Sequence, residues 1–149
     1  ACTLLRTPHS LQAKESHVIG LHLQRGGIEG GLLMAATNDG AISSLDLRMM
    51  QRQPNLLRKP DARDPLSSFA VHDYAPLMAV GSQDQQIHLS NIHSGELLDT
   101  IKFHVGFLGI RIGAVQSLNF HPTRILLAAG SADSGLSIYS GDLRHQTKL

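Results

Sequence analysis

Residues 126 to 140 read LLAAGSADSGLSIYS. An aliphatic pair runs into small residues, Asp133 follows, and a short alternating run closes on Tyr139 and Ser140. Taken alone this is a strand, a tight turn and a second strand. The fold depends on whether the motif recurs, and it does. Asp39 and Asp84 stand in the same setting, after LLMAATND and LMAVGSQD. Three residues beyond each Asp comes an aliphatic: Ile42, Ile87 and Leu136. Thirteen residues before Asp84 and Asp133 lie Val71 and Phe120, each ending an alternating run that continues into a histidine, His72 and His121. The first copy has Val18, Leu21 and Leu23 in the corresponding run, and its three extra residues fall in the glycine-rich RGGIEGG. The steps between aspartates are 45 and 49 residues.

A repeat of this period made of short strands is the signature of a propeller blade. Each copy reads as an alternating strand, a turn, a buried apolar strand, a tight turn and a third alternating strand. SGELLDTIKF supplies a fourth strand from Leu97 to Phe103, and Leu56-Leu57 does so less clearly in the first copy. The expected fold is all-β, a partial β-propeller of WD-repeat type with about three four-stranded antiparallel blades. Residues 1–15 read as the remnant of a preceding blade and a linker. Residues 16–64 form a first blade with a long basic loop, 65–112 a second with a connector, and 113–149 a final blade without its outer strand. Asp39, Asp84 and Asp133 are expected to be structural turn residues, accepting backbone N–H bonds and tolerating turn dihedrals. Phe69, Val71, Ile87, Leu118, Phe120 and the run Ile125 to Ala129 are expected to be core.

The third strands of WD repeats typically end in Trp-Asp, and the pattern resembles that family with Leu45-Asp46, Ser90-Asn91 and Tyr139-Ser140 in those places. The chain has no Trp and an aromatic content of 4%, so aliphatic side chains must fill the space between blades.

Composition excludes several classes. The net charge of +1 gives no footprint for nucleic acid or an anionic membrane, and no run of apolar residues is long enough for a membrane helix. A single Cys2 allows no internal disulfide and fits a reducing compartment. Nine histidines invite a metal site, but their spacing does not converge. His17 and His22 fall five apart, on opposite faces of a strand, and His88 and His93 diverge around a strand end. His72 and His121 occupy one repeat position, as residues capping the end of a first strand would. No phosphate loop, nucleophile elbow or paired acids appear. The expectation is therefore no enzyme, no catalytic residue, no cofactor and no metal. The alternative is a propeller holding a hydrolase or ligand site in its central channel, which needs an acid, His or Ser recurring on every inner strand.

Two stretches remain as candidate partner surfaces. One is the basic run with Arg48, Arg52, Arg58, Lys59 and Arg63, either a solvated loop or a dock for an acidic partner. The other is the connector from Phe103 to Gly113, where Phe107 and Leu108 stand between glycines, with Arg111 beyond. An apolar pair in a loop either tucks onto the blade or anchors a partner.

GELLDTIKFHVGFLGIRIGAVQSLNFHPTRILLAAGSADSGLSIYS resembles the Raptor family, the regulatory-associated scaffold subunits of the TOR kinase complex. The residues carrying this are Gly106-Phe107-Leu108-Gly109, Arg111-Ile112-Gly113, Asn119-Phe120-His121-Pro122 and Ser137-Ile138-Tyr139, with Ile110 a departure. The resemblance is good over residues 65 to 145 and weak over 16 to 48. It implies the terminal propeller of a large non-catalytic scaffold acting in nutrient and growth signalling. Its partners would be proteins, the rest of the scaffold and the TOR kinase complex, with no nucleic acid, membrane insertion or small-molecule substrate. The implied location is cytoplasmic, with recruitment to an endolysosomal or vacuolar surface through the parent complex. The chain starts at Ala1 and stops soon after a third strand, so the N-terminus reads as a truncation and the C-terminus as natural. Three blades without a closing partner are expected to be marginally folded or oligomeric by themselves.

Overall fold

A computed structural model describes residues 16–26, 31–49, 54–59, 65–102, 104–105, 110–111 and 113–141. These form antiparallel sheets and no α-helix. The first sheet runs β1 (Val18–Gln24), β2 (Leu32–Thr37), β3 (Ile42–Asp46) and β4 (Asn55–Arg58), with a 3-10 turn at Leu47–Met49 before β4. The second runs β5 (Leu66–Val71), β6 (Leu77–Ser82), β7 (Gln86–Asn91) and β8 (Leu97–Lys102). The third holds β11 (Val115–Phe120), β12 (Leu126–Ser131) and β13 (Leu136–Ser140). Between the last two, the connector forms a small hairpin of β9 (His104–Val105) and β10 (Ile110–Arg111). In every sheet the strands follow chain order, and the first strands β1, β5 and β11 lie side by side with β5 in the middle. This is the arrangement of successive propeller blades, first strands innermost. The fold is a partial WD-repeat propeller.

The register repeats as well as the topology. Val18 pairs Thr37, Leu66 pairs Ser82 and Val115 pairs Ser131, and each first strand has a bulge immediately after that residue. These pairs align the blades residue by residue. The turn between second and third strands is tied to the start of the first strand in all three. Asn38 N–H donates to His17 C=O at 3.0 Å, Gln83 to Pro65 at 3.4 Å and Ala132 to Ala114 at 3.0 Å.

The middle sheet buries apolar side chains on both faces against its neighbours, and each of the other two buries one face against it. One core lies between sheets one and two, with Leu32, Met34, Ala36 and Ile42 against Leu66, Val71, Met78, Val80 and Ile92. A second lies between sheets two and three, with Ala70, Ala79 and Ile87 against Val115, Phe120, Leu127 and Ala129. Phe69 and Leu118 are half-buried beside these clusters. Ile125 is a correction to the expected core: it is 53% exposed, because it precedes β12 in the turn rather than alternating within the strand. Leu126 and Ala128 are half-buried, on the face that points away from the second core.

The second seam is tight enough to need glycine. A Cβ on Gly81 would sit 2.3 Å from Ser68 Oγ and 2.7 Å from Val115 Cγ1. Val115 is fully buried and its carbonyl is held by Ser67 and Ser68 hydroxyls, so it has no room to retreat. Gly81→Ala should therefore destabilise by about 1–3 kcal/mol, the usual range for overpacking. A chemical-denaturation midpoint unchanged from the parent protein would show that the sheets can part without cost.

Candidate functional site

Asp39, Asp84 and Asp133 all sit in the turns between second and third strands. The Thr37 and Ser131 hydroxyls donate to the Asp39 and Asp133 carboxylates. The Ala41 N–H also donates to Asp39 at 3.3 Å, and in the second blade Asp84 N–H donates to Ser82 Oγ at 3.1 Å. The residue after each Asp is left-handed: Gly40 at φ 94°, Gln85 at 65° and Ser134 at 67°. Only the first turn has the residue that adopts this conformation without strain. Gln85→Gly should raise stability by roughly 0.5–1 kcal/mol, relief of strain outweighing the extra freedom of the unfolded chain. A thermal midpoint lower than the parent's would contradict this.

The Ser131 hydroxyl holds the Asp133 carboxyl below the usual carboxylate range, aided by the N–H groups of Gly113, Asp133 and Gly135 and opposed by desolvation. A depressed folded value means the ionised turn contributes stability above the unfolded carboxylate pKa of about 3.9, lost as pH falls through the folded value. Asp133→Asn should flatten the acid limb of the stability curve below about pH 4. An acid limb identical to the parent's would remove Asp133 from the pH dependence.

At one end of the inner strands is a half-open cleft of about 240 Å³ lined by His22, Val71, Asp73, Asn119, Phe120, His121 and Pro122. His22 Nε2 meets Asp73 Oδ1 at 3.1 Å across the first seam, with both side chains about 30% exposed at 30%/28%. An ion pair this wet contributes little. The cleft is also smaller than the roughly 300–1,000 Å³ of typical ligand sites. It offers a carboxylate and imidazoles but no activated nucleophile and no second acid. No cluster suited to a metal ion occurs among the described residues. No acid, His or Ser recurs in all three inner strands, which a channel active site would need. Sequence reasoning missed this cleft because its residues come from three different repeats and differ at each equivalent position.

The basic run is not a uniform charged loop. Arg48 folds back on Asp46 through Nε to Oδ1 at 3.1 Å and a second guanidinium nitrogen to Oδ2 at 2.9 Å, closing off the end of β3. Arg58 is half-buried in β4 and Lys59 is exposed after it. Arg52 and Arg63 lie outside the described residues, as do Phe107 and Leu108. Arg111 is in β10, paired with His104. Apolar exposure among the described residues includes Val18, Leu21 and Leu23 on β1, Leu56 on β4, Leu97 and Leu98 on β8, and Leu136 and Ile138 on β13. No described helix is long and apolar enough to cross a membrane.

No family model matches the chain. Among curated proteins, the raptor homolog of Dictyostelium discoideum is 51% identical over 86 residues, 58% of this chain and 6% of its own length. Regulatory-associated protein of TOR 1 from Arabidopsis thaliana is 38% identical over 135 residues, 91% of this chain and 10% of its own length. A target of rapamycin complex 1 subunit of Schizosaccharomyces pombe is 30% identical over 84% of this chain and 9% of itself. This chain thus spans a tenth or less of these relatives. The crystal structure of Chaetomium thermophilum Raptor superposes with a TM-score of 0.67 at 28% identity, over 83% of this chain and 11% of that one. The RRP9 WD40 repeats superpose equally well, TM-score 0.67, at 16% identity over 88% of this chain and 37% of that one, a likeness of fold alone.

Proposed function

This chain belongs to the Raptor family, and from that premise we propose that it is an arc of the propeller of a non-catalytic scaffold in a TOR kinase complex, serving nutrient and growth signalling. The supporting observation is the 38% identity to a regulatory-associated protein of TOR over 91% of the chain, which takes in all three sheets. The blades under this reading are residues 16–64, 65–112 and 113–149. Their partners are proteins, the remainder of the scaffold and through it the kinase, with no nucleic acid or small-molecule substrate. The protein works in the cytoplasm.

What the arc contributes is surface. Its cores lie at the seams and its polar turns are tied to their own backbone, leaving the outer strands to meet partners. Exposed Leu56, Leu97 and Leu98 on β4 and β8, the connector with Phe107, Leu108 and Arg111, and the basic run from Arg48 to Arg63 are the candidate contacts. The test is affinity purification of the tagged full-length protein from its own cells. TOR kinase should co-purify in near-stoichiometric amount. Its absence would sink the reading. A thermal-shift screen over metals and nucleotides should show no saturable response at micromolar ligand, and a saturable one would favour a site in the channel.

A further inference from the structure

The register assigns Gln24, His72 and His121 to one position at the end of each inner strand, Gln24 as the last residue of β1 and the histidines just beyond β5 and β11. At the first seam, Gln24 Nε2 donates to the carbonyls of His72 and Ala75 at 3.1 and 3.2 Å, both in the hairpin turn of the next blade. At the second seam His72 does the same. Its Nδ1 accepts the N–H groups of Tyr74 and Ala75 at 3.1 and 2.9 Å, which places the proton of the neutral ring on Nε2. That Nε2–H donates to Arg124 C=O at 3.2 Å. Ala75 and Arg124 are equivalent, each three residues beyond the polar residue of its own turn. Different side chains thus reach the same backbone acceptor from the same place.

His121 is prepared in the same way. Its Nδ1 accepts the N–H groups of Thr123 and Arg124 at 3.2 and 3.1 Å, so its Nε2 carries the proton. No described residue accepts that N–H, and His121 is exposed. On the same face Leu136 and Ile138 are 74% and 68% exposed, whereas their equivalent Ile87 is fully buried and Leu89 packs against the second core.

We propose that His121 latches the propeller blade that follows at this face of the third sheet, donating from Nε2 to a carbonyl of that blade's inner hairpin turn. This rests on the reading of the chain as an arc of a longer scaffold. Both faces of this kind in the structure are covered by a sheet, through large side chains such as Val71 and Met78 in one case and Phe120 and Leu127 in the other. The acceptor is main chain, so any blade with this turn supplies it whatever its sequence. A docked helix or single extended peptide would cover Leu136 and Ile138 without bringing such a turn to His121. The RRP9 fold, of which this arc covers 37%, has room for more sheets than three.

The experiment compares the full-length protein with its His121→Leu, His121→Gln and Ile138→Lys variants by hydrogen–deuterium exchange over residues 136–140. The parent should be protected there, independent of protein concentration. Loss of one hydrogen bond in His121→Leu should speed exchange about tenfold. His121→Gln should stay within about twofold of the parent, since Gln24 already serves as a latch. Ile138→Lys leaves the local Nδ1 cap untouched and should also speed exchange. The latch is overturned if His121→Leu matches the parent, or if His121→Gln is as fast as His121→Leu. An unprotected parent, or protection that rises with concentration and so marks a second copy as the occupant, overturns the blade. Co-purification of TOR kinase is read separately: its absence from the parent sinks the scaffold reading and leaves the exchange result standing.

Discussion

Phe120→Ala should lower the unfolding free energy by about 3–5 kcal/mol, the range for deleting a buried phenyl ring. Phe120 is 9% exposed and belongs to the core between the second and third sheets, with Val115, Leu127 and Ala129. Its ring also meets His72 edge to face, centroids 5.6 Å apart and planes at 66°. That imidazole is the one that donates to Arg124, so the missing ring loosens both the apolar and the polar fastening of one seam. Leucine should recover most of the volume and part of the loss. A urea melt displaced by less than about 1 kcal/mol would mean the third sheet is not packed on the second.

Met34→Ala should cost about 2–5 kcal/mol by the same logic in the other seam. Met34 is fully buried, in the cluster shared by the first and second sheets. The two clusters have no residue in common, so the double variant should lose the sum of the single losses to within about 0.5 kcal/mol. A shortfall well beyond that would show that the middle sheet transmits strain from one seam to the other.

The repeat made the sheets legible. Ser/Thr-x-Asp marks the turn because the hydroxyl bonds the Asp two residues on, through its carboxylate in the first and third sheets and through its N–H in the second, and the period-two pattern before it marks the inner strand. Family membership was legible too, in the connector and the last blade. Ile125 was misread because an apolar run of five looks continuous, while only the register shows that the strand begins at Leu126. The latch at Gln24, His72 and His121 was half legible. The shared position of the two histidines pointed to a cap at the end of a first strand, but the Nδ1 that makes the cap and the reach of Nε2 into the next blade depend on the fold. Gln24 gave no signal, because its side chain resembles histidine only in carrying a donor at that distance. The surfaces around Phe107 and Arg52 rested on composition alone, and they fall outside the described residues.

The side-chain hydrogen bonds named above that cross a seam join residues about one repeat apart. Gln24 reaches over 48 and 51 residues, Ser67 and Ser68 over 48 and 47, and His72 over 52. In folding, this sets the size of the loops to be closed. Closure entropy grows only with the logarithm of loop length, so each seam exacts nearly the same toll whichever pair of sheets it joins. Within a sheet the contacts are more local still, strand following strand. A chain built this way can zip from any completed sheet to its neighbour, as linear repeat arrays do. Its folding rate should then depend weakly on how many blades follow, because adding one lengthens the polypeptide without lengthening the loops that must find their ends.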